Sequence, residues 1–152
     1  MIELNPGEPT AYRELGLNKL YLGETREAAD WFRRADSIAP RDLERWTWLQ
    51  GLGRALMQMG ENANAVEVLR LALANNPNHR RGWALLAAAE ALSGDMAAAK
   101  LHMAEFAELD PGLTVRKFAE QRSSVPLNTV SPVYLSENER IFEGLRLAGM
   151  PV

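Results

Sequence analysis

Few side chains in this sequence can move a proton or hold a metal. There are two histidines, His79 and His102, and no cysteine among the 152 residues. The histidines are 23 positions apart, in no His-Glu-x-x-His arrangement and with no nearby carboxylate pattern, so neither a zinc site nor a general base is expected of them. His79 follows Pro77 in a turn, and His102 stands among small and apolar residues. Gly51-Leu52-Gly53 falls mid-helix and lacks the Gly-Lys-Ser/Thr that completes a phosphate loop. No serine pairs recognisably with His and Asp. Glu137 and Glu139 suit a helix start, where carboxylates offset the dipole, and Met57 and Met59 suit core packing. No catalytic residue, metal site or cofactor is expected. What remains is a set of arginines, Arg13, Arg54 and Arg81, whose planar forks match carboxylates.

The elements that must position those arginines repeat along the chain. Pro40, Pro77 and Pro111 are spaced by 37 and 34 residues, and the same two steps carry Gly16 to Gly53 to Ala87, Gly23 to Gly60 to Gly94, Ala28 to Ala65 to Ala99, and Leu15 to Leu52 to Leu86. A small residue at the first column lets two helices cross closely, and the Ala28 column is expected to face it from the partner helix. The intervening glycine can take a positive φ and end the first helix, and the proline ends the second. Each unit is therefore helix, Gly turn, helix, Pro stop. The three extra residues of the longer step fall around Asp42-Leu43-Glu44 and are expected to lengthen the next helix, with Asp42 as its cap. An ordinary helical bundle with chance periodicity is the competing reading.

Composition narrows the function class. The chain is 47% hydrophobic and 24% charged, with a net charge of −3, which suits one globular or solenoid domain. No basic block is present, so nucleic acid is not an expected partner. The absence of cysteine agrees with a reducing cytosol, no apolar run approaches the ~20 residues of a membrane span, and no secretory signal opens the sequence. A cytoplasmic location and no membrane partner are the expectations.

After Pro111, residues 113–122 read as a short helix with Thr114 as its cap, and 123–135, with Pro126 and Pro132, as a loop. Ser136 and Glu139 then read as a capping box for a final helix that buries Ile141, Phe142, Leu145 and Leu147 and ends at Gly149. That helix is expected to cover the apolar end of the last repeat, and docking a neighbouring domain or a second copy is the alternative.

The repeat resembles the tetratricopeptide repeat, a pattern of large residue, Leu, small residue, Ala, aromatic, Ala and Pro. It reads Tyr12, Leu15, Gly16, Ala28, Phe32, Ala35, Pro40 in the first unit and Leu49, Leu52, Gly53, Ala65, Leu69, Ala72, Pro77 in the second. In the third it reads Trp83, Leu86, Ala87, Ala99, Met103, Phe106, Pro111, with Phe106 replacing the small Ala. The resemblance implies an all-α fold, a tetratricopeptide-type α-α superhelix of three helix-turn-helix repeats (about 9–42, 43–79 and 80–111) followed by C-terminal capping helices over 112–152. Residues 1–7 form an N-terminal tail or the end of a preceding repeat, since Glu3-Leu4-Asn5-Pro6 ends 34 residues before Pro40. An internal start and a native start both fit.

In that family the first helix of each unit lines a concave groove that binds proteins or peptides. The resemblance therefore implies groove positions at Arg13, Leu17, Leu20 and Tyr21 in unit one. It places Gln50, Arg54, Met57 and Gln58 there from unit two, and Arg81, Ala84, Ala88 and Leu92 from unit three. An acidic peptide is the expected ligand class, with arginines that merely solvate the surface as the alternative. Some members grip a chaperone C-terminal carboxylate with a fixed basic and asparagine set. Here Arg13 and Arg81 match two basic sites, but Leu17 and Gly51 replace the asparagines and Leu85 the other basic residue, so chaperone tails are not expected.

The stretches 109–115 and 144–151, with the lengthening before Trp46-Thr47-Trp48-Leu49, are similar to the C-terminal array of bacterial class III adenylate or guanylate cyclase-type signalling proteins. Related arrays follow winged-helix transcriptional regulators. The implied role is a non-enzymatic regulatory module whose partner is a protein, the parent's own N-terminal domain, or a second copy in a homodimer. A scaffold or dimerisation unit is the further alternative.

Overall fold

The computed structural model of the protein describes residues 7–120 and 130–152, which form eight α-helices and no strand. In order they are α1 (Pro9–Tyr21), α2 (Thr25–Ile38), α3 (Arg45–Gln58), α4 (Asn62–Asn75), α5 (Arg80–Leu92), α6 (Met96–Leu109), α7 (Val115–Glu120) and α8 (Pro132–Ala148). The all-α class and the paired hairpins are those the sequence implies. The Glu3–Pro6 motif and residues 121–129 lie outside the described residues.

The punctuation works as backbone chemistry requires. Gly23, Gly60 and Gly94 follow α1, α3 and α5 with φ of +81°, +80° and +97°. This left-handed turn sends the next N–H back over the helix end. Glu24, Glu61 and Asp95 donate to the carbonyls of Lys19, Leu56 and Glu90 at 2.9, 2.8 and 2.9 Å. The second helices end at Ala39, Asn76 and Asp110, which take extended φ of −135°, −142° and −140°. Each directly precedes a proline, whose ring disfavours the α conformation in the residue before it.

The longer second step is accommodated differently from expectation. Helix α3 begins at Arg45 behind Glu44, and Asp42 stands in the preceding loop, where its Oδ1 accepts from the Glu44 N–H at 2.8 Å. The α2–α3 loop has six residues where the α4–α5 loop has four, and α3 is one residue longer than α5. The insertion is mostly loop because Asp42 closes a local turn instead of capping.

The hairpins stack in two layers. Each helix packs on the next from α1 to α6, and α1 also touches α3, and α3 touches α5. Helices α1, α3 and α5 thus form an inner layer, and α2, α4 and α6 an outer one. The small first column serves the large residues of the outer layer. A Cβ on Gly16 or Gly51 would come within 2.7 Å of the Phe32 ring, and one on Gly53 within 2.5 Å of Leu69. The nearest neighbours of these glycines are therefore Phe32 and Leu69, one turn beyond the Ala28 and Ala65 column expected there. Those alanines are fully buried all the same.

The C-terminal region departs most from the sequence reading. Thr114 does cap α7, accepting from the Lys117 N–H at 3.2 Å. Helix α8 begins five residues earlier than the expected cap at Ser136. Ser131 caps it, accepting from the Val133 N–H at 3.0 Å, and Pro132 opens it. Ser136 and Glu139 are inside the helix and make no capping box. Proline is suited to the first helical position because its missing N–H would go unused there, which is why the Pro132 stop signal was in fact a start. Ile141 and Leu145 are buried, Phe142 partly so, and Leu147 is 43% exposed. Gly149, at φ +109°, ends the helix as expected. At the end of the last repeat Met103, Phe106, Leu113 and Met150, all buried, line one pocket, and the Val115 N–H donates to the Pro151 carbonyl at 2.7 Å. Helix α8 packs mainly on α5, the first helix of the last repeat, touches α6, and runs on across the inner layer to α3.

Candidate peptide-binding groove

The inner layer presents one face made by α1, α3 and α5, and α8 is seated on it. At its start the Ser131 N–H donates to the Tyr21 carbonyl at 2.8 Å, and Thr25 Oγ1 donates to Glu137 at the end of the first hairpin. In the middle, Tyr134 meets the Tyr21 ring edge-on at 5.1 Å between centroids. Its hydroxyl accepts from Arg54 Nη2 at 3.0 Å. Gln58 Nε2 donates to Asn138 Oδ1 at 3.3 Å, and Arg140 Nη1 donates to the Gln58 carbonyl at 2.8 Å. At the far end Gly144 is pressed onto α5. A Cβ there would lie 2.7 Å from the Ala88 carbonyl oxygen and 3.0 Å from Leu92. That closeness explains why the helix carries a glycine at an interior position, where it costs helix stability.

The twelve groove positions therefore divide. Tyr21, Arg54, Gln58, Ala88 and Leu92 are brought together under α8. Leu20, Met57, Gln58, Ala84 and Ala88 are buried, so none of them is an open floor. Arg13 is apart from the rest and structural, with Nη1 donating to Thr47 Oγ1 at 3.2 Å and ion pairs to Glu14 and Glu44. Leu17 packs partly buried against the core. At the positions matching the chaperone clamp, Leu85 is buried and Gly51 is closed by Phe32.

Gln50, Arg54 and Arg81 line what α8 leaves uncovered. This is a cleft of about 120 Å³, walled by Leu85, Phe118, Tyr134, Ile141 and Phe142. The Arg81 guanidinium is 3.9 Å from the Phe118 ring centroid. Burial, and then the charge of Arg54, pull its pKa down to about 10. Tyr134 and Asp110 pull it the other way, and it stays protonated at neutral pH.

Sequence reasoning missed a second polar cluster on the other side of α5. Glu90 is 0% exposed; its Oε2 accepts from Arg70 Nη2 at 3.2 Å, and its Oε1 is 2.6 Å from His102 Nδ1. His102 thus has a carboxylate neighbour, contrary to expectation, because α5 and α6 place residues twelve apart side by side. His79 is at the α5 cap against the Trp46 ring, and burial lowers its pKa. Among the described residues no group of three or more His, Cys, Asp and Glu could hold a metal, and no helix is long and apolar enough to cross a membrane.

Comparison with known proteins agrees with this architecture. Residues 46–89, which span α3, α4 and most of α5, match the tetratricopeptide repeat family model. No curated protein matches the sequence. Among solved structures, the first TPR of Spaghetti (RPAP3) bound to the HSP90 peptide SRMEEVD superposes with a TM-score of 0.65. It is 17% identical, and the match covers 96% of this chain and 99% of that one. The repeats that the spacing of Pro40, Pro77 and Pro111 announces are stacked in the tetratricopeptide fold, an α-α superhelix whose inner face holds the chain's own last helix.

Proposed function

We propose that the chain is a non-enzymatic protein-interaction module whose inner groove recognises a helical or extended peptide segment. The observation that carries this reading is α8 itself. An amphipathic helix seated along α1, α3 and α5 is what a helix-in-groove complex looks like, made here within one chain. The solved neighbour, a tetratricopeptide domain titled as bound to a peptide, supports the same use of the fold. A partner must then compete with α8, so the groove is regulated by its own occupant. The units 9–42, 43–79 and 80–111 build the groove, and 112–152 supplies the competing segment.

The resemblance of residues 109–115 and 144–151 to bacterial cyclase-type signalling proteins supports a finer reading. The module is the regulatory part of a cytoplasmic signalling protein whose other domain is a nucleotide cyclase, held or released according to what fills the groove. The arginines favour an acidic partner over a basic one.

The test uses a Gly144→Leu variant, in which the new side chain collides with Ala88 and Leu92 and lifts α8 from its seat. A labelled peptide of sequence 130–152 should bind this variant saturably and the wild type weakly or not at all, read by fluorescence anisotropy. Absence of binding to the variant, with its repeats still helical by circular dichroism, sinks the groove reading. Purified chain given ATP or GTP with divalent metal should form no cyclic nucleotide, and turnover would overturn the non-enzymatic assignment.

A further inference from the structure

A pocket of about 310 Å³ opens on the outer side of α5, between units two and three. Its walls are Arg70 and Leu73 from α4, Pro77 from the loop, Trp83 and Leu86 from α5, and His102 from α6. The volume is within the roughly 300–1,000 Å³ of small-molecule sites, and a mostly apolar lining with a few fixed polar groups is what such sites have. Both rings in the wall are held in place. Trp83 Nε1 donates to the Pro77 carbonyl at 3.0 Å. His102 is tethered through Nδ1 to the buried Glu90 carboxylate at 2.6 Å, and its ring centroid is 5.5 Å from that of Trp83.

This tether decides what His102 can offer. A carboxylate oxygen accepts, so the proton of the neutral imidazole is on Nδ1 and the lone pair is on Nε2. The ring therefore brings one oriented acceptor to the pocket. Arg70 and Glu90 compensate each other at 3.2 Å, so the pocket calls for neither an anion nor a cation. The junction between units one and two is built differently. There Asp36 occupies the position of Leu73, 37 residues back, and its carboxylate accepts from Arg45 and from Trp48 Nε1. Leu73 has no such acceptor, and His102 stands where unit two has Val68, 34 residues back. The first junction joins its polar groups to one another, and the second keeps an aromatic wall and an acceptor beside a cavity.

We propose that this pocket binds a small, free, neutral aromatic molecule carrying an O–H or N–H donor, with its ring against Trp83, Leu73 and Leu86 and its donor on His102 Nε2. A benzene-sized ring fits a cavity of roughly 150 Å³, so the pocket admits one ring with its substituent. Contact with the Trp83 indole adds to the burial of the ring. The site is on the opposite side of α5 from α8 and does not depend on what fills the inner groove.

The experiment titrates the full chain with phenol and with anisole, which has the same ring but no donor, following calorimetric heat and the Trp83 indole N–H resonance. Phenol should bind saturably and shift that resonance, and anisole should bind about fivefold or more weakly. His102→Val, which restores the unit-two residue, and Ala74→Phe, which fills the pocket from an exposed position, should each weaken phenol by about tenfold or more. Arg33→Gln, which alters an exposed surface pair, should bind as the wild type does. Where His102→Val fails to fold, Ala74→Phe and the phenol–anisole pair carry the test. No saturation by phenol, equal affinity for phenol and anisole, or unchanged binding in Ala74→Phe overturns the proposal. So does a tyrosine-bearing peptide that shifts the Trp83 resonance when phenol does not, which would give the pocket to a protein partner instead.

Discussion

Helix α5 carries a charged cluster on each side, and the two are built by opposite rules. On the outer side Arg70 and His102 converge on Glu90, a fully buried carboxylate whose two oxygens are both engaged. On the inner side Arg54 reaches a tyrosine hydroxyl of α8 and Arg81 a phenylalanine ring of α7, and both line one cleft. The first cluster is self-sufficient and belongs to the scaffold. The second joins two like charges to side chains of α8 and α7, so it ties the C-terminal segment to the inner layer.

Removing Glu90 tests the contrast most strongly. Glu90→Ala should destabilise the chain by about 2–4 kcal/mol in urea denaturation, because it opens a cavity in the interior and ends the bonds to Arg70 and His102. A loss below about 1 kcal/mol would show that the outer cluster is not structural. Gly144→Leu should act on the inner side alone. It costs about 1–3 kcal/mol through overpacking, and hydrogen exchange should rise over α8 while the amides around Glu90 keep their protection. Uniform exchange across both sides would mean that α8 is part of the common core. Arg54→Glu removes the hydrogen bond to the Tyr134 hydroxyl and puts an acid in the same cleft as Arg81. It should change stability by no more than about 1 kcal/mol in a thermal melt. A marked destabilisation would show that the Arg54 guanidinium is a structural part of the seat of α8. Arg70→Gln should cost least, under about 1 kcal/mol, since Arg70 is 56% exposed and water screens its pair.

A pH titration separates both clusters from a third pair that staples the first unit to the second. Asp36 accepts from Arg45 at 2.7 Å and from Trp48 Nε1 at 3.0 Å. Burial raises its pKa, but the Arg45 and Trp48 hydrogen bonds outweigh burial and leave it below the usual 3.8. A depressed carboxylate stabilises the fold above its unfolded pKa and loses that contribution as pH falls through the folded one. Stability should therefore fall below about pH 4 by more in the wild type than in Asp36→Asn, whose acid limb should be flatter.

Much of the scaffold was legible from residues alone. Gly23, Gly60 and Gly94 end helices through backbone freedom that no other residue has, and the residues before Pro40, Pro77 and Pro111 are excluded from the helix by sterics. Both effects act within a few residues, so local sequence suffices. The errors arose where two local signals competed. Ser131-Pro132 and Ser136-x-x-Glu139 are both acceptable helix starts. The Ser131 N–H bond to the Tyr21 carbonyl, over a hundred residues away, accompanies the start at Pro132.

Sequence by itself determined the paired helices, their ends, the small residues that let them cross, and which faces are apolar, because each depends on φ/ψ restrictions or on a period of 3.6 residues. Only the tertiary structure decided that α8 runs on from the last repeat across the inner face, that Glu90 meets His102, and that Arg54 and Arg81 line one cleft. Those outcomes come from contacts between residues 12 to over 100 positions apart, and no local rule sets which of several apolar faces a free amphipathic helix will cover.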